Sequence, residues 1–136
     1  MLKRIGYGLI TWVIPYVTAI PLMPLMRSDP AMFKSIMIVE GSIVGAALTA
    51  YYFLKVKGGF LREGIVLAAV WVATNWVLDV IALLPFSGHS LPRYFVEIGI
   101  EYLAIFSTPV AIGYVLHVKA GSAAEVTAPA STRKVA

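Results

Sequence analysis

Four long apolar runs fill this chain, separated by short polar breaks: Ile5 to Met26, Ala31 to Leu54, Gly64 to Leu84 and Arg93 to Val118. A helix that crosses the hydrocarbon core needs about 20 mainly apolar residues, and each run meets that length. The breaks carry helix punctuation. Arg27-Ser28-Asp29-Pro30 ends the first run and starts the second, with Asp29 as the expected N-cap and Pro30 as the first helical residue. Lys57-Gly58-Gly59 divides the second run from the third, and Pro85 to Pro92 forms the last loop. The expected fold is all-α, a membrane-embedded four-helix bundle over residues 1–119. Ala120 to Ala136, rich in Ala, Ser, Thr and Pro, reads as a disordered tail.

Composition sharpens this picture. Hydrophobic residues make up 60% and charged residues 13% of the 136 residues. A soluble domain carries about 25% charged residues, so lipid rather than water is the expected solvent. The first run is too long for a signal peptide and lacks a small-residue cleavage site, so it reads as a retained helix. Cysteine is absent, which excludes disulfides, iron–sulfur clusters and cysteine nucleophiles. The two histidines, His89 and His117, fall at opposite ends of the membrane region, so a two-histidine haem site is not expected.

The basic residues give an orientation. Lys3, Arg4, Lys55, Lys57, Arg62, Lys119, Arg133 and Lys134 fall on one side of the four spans, and only Arg27, Lys34 and Arg93 on the other. The positive-inside bias predicts a cell-membrane protein with both termini cytoplasmic and with loops 27–30 and 85–92 outside. The net charge of +4 is explained by these helix ends and tails, so nucleic acid is not an expected partner.

The chemistry lies in the polar residues within the spans. Ionisable groups in hydrocarbon cost about 2.5–3.5 kcal/mol each on insertion scales and usually face a bundle interior or a cavity. Asn75 and Asp79 are four residues apart and share one helix face. Arg93, Glu97 and Glu101 form an i, i+4, i+8 stripe in the fourth span. At 1.5 Å per residue, Asp79, Glu97, Glu101 and Glu40 lie roughly 9, 7, 13 and 14 Å below their outer helix ends. All four acids therefore fall in the outer half, and Glu40, Asn75, Asp79, Arg93, Glu97 and Glu101 are expected to line an outward-facing polar cavity, rimmed by Lys34 and His89. Gly41 and Gly45 form a GxxxG pair suited to close helix packing. Pro109 frees the carbonyl of Ile105 and predicts a kink. Tyr7, Trp12, Tyr51, Tyr52, Phe86 and Tyr94 read as an interfacial aromatic belt.

Three readings of the acids stay open. Carboxylates at one depth repel unless protons or a hard cation neutralise them, which suits cation or proton binding, or transport by a homo-oligomer. Alternatively, the polar residues set helix register in an accessory subunit of a larger membrane complex. The third reading is an enzyme acting on a lipid or isoprenoid substrate, but HExxH, GxSxG and DxxD motifs are all absent.

A weak internal repeat is also present. Shifted by 62 residues, Pro30 to Gly59 lies over Pro92 to Gly121 with ten of thirty positions identical. It predicts two duplicated hairpins related by an axis along the membrane normal. The stretch Asn75-Trp76-Val77-Leu78-Asp79-Val80-Ile81-Ala82-Leu83-Leu84-Pro85, with Tyr94-Phe95 and Glu101-Tyr102-Leu103, resembles the second half of small prokaryotic four-span membrane proteins of unknown function. That resemblance implies the same topology and a shared signature at Asn75 and Asp79, and no activity.

Overall fold

The computed structural model describes residues 1–82, 84–87 and 90–127. Every regular element in them is helical: α1 Leu2–Ser28, α2 Pro30–Phe53, α3 Phe60–Ala82, α4 Leu84–Ser87, α5 Leu91–Glu97, a 3-10 turn Gly99–Glu101, and α6 Tyr102–Thr127. Four spans are long and apolar enough to cross a membrane: α1, α2, α3 and the composite Leu91–Ala123. They alternate in direction. Met1, the 54–59 connection and the end of α6 lie at one end of the bundle, here the termini end. Asp29 and α4 lie at the other, the hairpin end.

Local chemistry sets the boundaries. Asp29 is extended, as a residue before proline must be. Its N–H donates to the Leu25 carbonyl at 2.8 Å, closing α1. Its carboxylate accepts the Met32 N–H at 3.0 Å, capping α2 behind Pro30. One residue thus turns the chain between two spans. At the opposite end Gly59 has a φ of 64°, which a side chain would strain, and α3 starts directly after it. Helix α1 continues through Pro15, Pro21 and Pro24.

Around the bundle the order is α1, α2, α6, α3, each packing on its two neighbours, with the α3–α6 contact the most extensive. The core of the termini half is Phe53, Leu67 and Trp71. Small residues permit the close contacts. A methyl group on Gly8 would sit 3.2 Å from the Trp71 ring, which donates its indole N–H to the Arg4 carbonyl at 3.2 Å. Gly64 and Gly113 face each other across α3 and α6, and a side chain on either would strike the other helix's backbone. Outside, Val13, Val17, Ile20, Ile43, Val77, Ile81 and Val115 are exposed, as a lipid-facing surface requires.

The fourth span differs from the expected single helix. It breaks at Ile98, whose φ of −128° and ψ of −52° leave the helical region. The Arg93–Glu97–Glu101 stripe is therefore not one continuous face. The break also separates this span from uninterrupted α2, to which the internal repeat likened it. Helix α6 then runs on to Thr127, past the expected end at Val118, and residues 128–136 lie outside the described residues.

At the termini end Arg4 joins three helices. Its Nη2 donates to both Glu63 carboxylate oxygens, at 2.7 and 2.8 Å, and its Nε to the Tyr52 hydroxyl at 3.2 Å. The Tyr52 hydroxyl in turn donates to Glu63 at 2.8 Å. Both charged side chains are about a quarter exposed (22% and 26%), so solvent weakens the pair without abolishing it. A double-mutant cycle of Arg4→Gln and Glu63→Gln should give a coupling of about 1–2 kcal/mol in detergent unfolding. Coupling near zero would remove this network from the account of stability.

Candidate functional site

Inside the hairpin half, all four spans line a cleft of about 380 Å³. Its walls are mainly apolar: Pro15, Ala19, Met26, Phe33, Met37, Ile38, Ala104 and Ile105. Its polar groups are Thr11, Trp12, Tyr16, Lys34, Ser42, Asn75, Asp79, Glu101 and Tyr102. The lining does not reach the Phe53, Leu67 and Trp71 core.

Asp79 is the centre of this cleft. It is 3% exposed. Its Oδ1 accepts the Trp12 indole N–H at 2.7 Å. Its Oδ2 accepts two hydroxyls, Tyr94 at 2.7 Å and Tyr102 at 2.6 Å. An indole N–H only donates, so Oδ1 is an acceptor. Three helices, α1, α5 and α6, thus converge on one carboxylate of α3, and all its partners among the described residues are neutral. Neutral donors satisfy the hydrogen-bonding capacity of a buried carboxylate without supplying an opposite charge.

One turn deeper, Asn75 donates to the Thr11 hydroxyl at 3.1 Å and to the Trp71 carbonyl at 2.8 Å. The Thr11 hydroxyl donates in turn to the Gly8 carbonyl at 2.7 Å. Asn75 thereby orients the α1–α3 seam directly below Asp79.

The break in the fourth span shapes the site. Breaking a helix releases backbone carbonyls, and the Trp76 indole N–H takes the one at Gly99, at 3.0 Å. The Trp76 ring packs edge-on against Phe95, 5.3 Å between centroids. On an unbroken helix Tyr94 and Tyr102 would be about 12 Å apart along the axis; here both hydroxyls reach the same oxygen.

The structure separates the other candidates. Glu101 lines the cleft and pairs with Lys34 at 3.3 Å. Glu40 does not face the cleft. It lies across the α1–α2 seam, where Oε1 accepts the Thr18 hydroxyl at 2.6 Å. It borders a shallow outer groove with Met32, Ser35, Ile36, Val39, Ile43 and Val44. The reason is angular: Glu40 lies about 100° round α2 from Gly41, which does line the cleft. Arg93 is exposed on α5 and does not line the cleft. Glu97 ends α5, with its side chain outside the described part, and His89 lies outside the described residues. Among the described residues no three Asp, Glu, His or Cys side chains are grouped to hold a metal. Of the GxxxG pair, Gly45 is buried, and a methyl group there would meet Ile105 at 3.8 Å, while Gly41 faces open space.

Trp12, Tyr94 and Tyr102 are the donors to Asp79 that a reading by position misses: Trp12 and Tyr94 read as interfacial anchors, and nothing local marks Tyr102. The usable signal is a demand for donors. A carboxylate in lipid needs hydrogen-bond partners, and the tryptophan and tyrosines at its depth can supply them. Comparison with protein-family models, with curated proteins and with solved structures finds no match to this chain.

Proposed function

We propose that this protein spans the membrane four times with both termini in the cytoplasm, and binds a cation in a cleft that opens on the outer side. The orientation rests on the bias of the sequence, eight basic residues in the terminal segments and the 55–62 region against three around the two short loops. The binding role rests on one observation: the buried Asp79 carboxylate, whose partners among the described residues are all neutral donors. Asn75 and the three donors fix its position before anything binds, so little ordering is needed on association. Lys34 pairs with Glu101, which leaves Asp79 as the charged residue of the lining with no ion pair among the described residues.

The test is thermal unfolding of the purified protein with sodium, potassium, magnesium, calcium or tetraphenylphosphonium chloride. At about a hundredfold excess over Kd, the bound cation should raise Tm by roughly 5–10 °C. Asp79→Asn should abolish the rise. Equal shifts in wild type and variant, or none with any of these salts, contradict the reading.

A second reading concerns assembly, and Glu40 favours it. Its Oε2 is buried without a hydrogen-bond partner among the described residues. A buried unpaired acceptor costs about 1–3 kcal/mol, and a turn of the Glu40 side chain towards a donor from a neighbouring membrane helix in the outer groove would remove that cost. Homo-oligomer or larger complex, the contact would run along Val39 and Ile43. The chain lacks cysteine, so Ile43→Cys introduces a single thiol. Oxidation in membranes should yield a disulfide-linked species that Val115→Cys, on α6, does not.

A further inference from the structure

Building on a cation at Asp79, the geometry points to the class of cation: we infer that the ligand is a lipophilic organic monocation, an alkylated or arylated ammonium or phosphonium. If this inference failed, the binding role of Asp79 would remain.

The cleft is poorly suited to a hard metal ion. Calcium takes six to eight oxygen ligands, and magnesium keeps much of its own water. The Asp79 oxygens already accept three hydrogen bonds, and Glu101 is engaged with Lys34. Most of the remaining lining is apolar, so a small ion would lose hydration that the cleft does not replace. A cation whose charge is spread beneath apolar groups loses far less.

The walls fit such a molecule in two ways. Trp12 and Tyr16 stack at 4.5 Å with 17° between ring planes, which leaves each at most one open ring face, and Tyr102 and Phe33 also line the space. Aromatic faces attract cations, and quaternary ammonium groups are recognised in aromatic cages. The charge balance matches as well. Among the described residues of the lining, Asp79, Glu101 and Lys34 carry formal charge, one negative in sum, which suits a single positive one. At about 380 Å³ the volume is within the range of small-molecule sites, about 300–1,000 Å³.

The experiment is equilibrium dialysis of radiolabelled tetraphenylphosphonium against the full chain in nanodiscs, with empty nanodiscs as the blank. Wild type should bind saturably, with at most one cation per chain. Asp79→Asn should weaken binding at least tenfold. Tyr16→Leu leaves the Asp79 hydrogen bonds intact and should weaken it about two- to fivefold. Gly41→Leu serves if Asp79→Asn does not fold: no atom lies within 4 Å of where its Cβ would stand, so the new side chain enters the cleft and should block binding. Absence of saturable wild-type binding overturns the inference, as does wild-type affinity in both Asp79→Asn and Gly41→Leu. If tetraphenylphosphonium fails while sodium or magnesium gives an Asp79-dependent rise in Tm, the ligand class falls and the binding role stands. If no cation gives an Asp79-dependent effect, both fall.

Discussion

Asp79→Ala should lower the stability of the protein by about 3–5 kcal/mol, whereas Asp79→Asn should leave it folded. Alanine strands three donors. An unsatisfied buried donor costs about 1–3 kcal/mol. Tyr94 is fully buried and has no route to water, while Trp12 and Tyr102 line the cleft and can be partly rewetted. Losing a buried charge offsets some of the penalty. Asparagine fills the same space. Its oxygen can take the Trp12 N–H while its amide group donates to the two tyrosine hydroxyls, which then act as acceptors. The variant therefore removes charge and keeps connectivity, which is why it is the binding control above. Unfolding by SDS titration checks both. Equal stability of Asp79→Ala and wild type would mean that the three hydrogen bonds do not hold the bundle together.

The second large effect is expected where α3 crosses α6. Gly64→Ala would place its methyl on the Pro109 carbonyl oxygen, and Gly113→Ala would place its own 2.6 Å from the Phe60 carbonyl oxygen. Both obstacles are backbone, which cannot rotate away, so the helices must part and loosen Leu67 and Trp71, each fully buried. Overpacking of this kind costs about 1–3 kcal/mol, and more where backbone must move. Gly64→Leu should prevent the native pairing. Gly41→Ala, with open space around it, should be neutral or gain up to about 1 kcal/mol from helix propensity. Equal midpoints for Gly64→Ala and Gly41→Ala in the same SDS titration would contradict this assignment of the close contact.

That contrast marks how far the sequence could be read. Gly41 and Gly45 form a recognisable pair on one helix. The pair that matters, Gly64 and Gly113, lies on two helices and becomes a pair only once α3 crosses α6. Spans and turns were legible because their causes are local: Asp29 before Pro30, Gly59 after Gly58, apolar runs of membrane length. Asn75 and Asp79 were legible because four-residue spacing fixes a shared face. Glu40 and Glu101 were placed by depth, which counts residues along an axis and carries no information about angle. The four helices resolve that angle, turning Glu40 to the outer seam and Glu101 towards Lys34. The break at Ile98 was hidden because its support, the Trp76 indole on the Gly99 carbonyl, comes from a different helix.

The central claim is that Asp79 is the group that recognises a cation, and infrared difference spectroscopy reads it most directly. Reconstituted protein carrying ¹³C-labelled aspartate would be perfused in turn with sodium, magnesium and tetraphenylphosphonium. One of them should shift a labelled carboxylate band in wild type, and the shift should disappear in Asp79→Asn. Labelled bands that stay silent with every cation, or a shift that persists in Asp79→Asn, would contradict it.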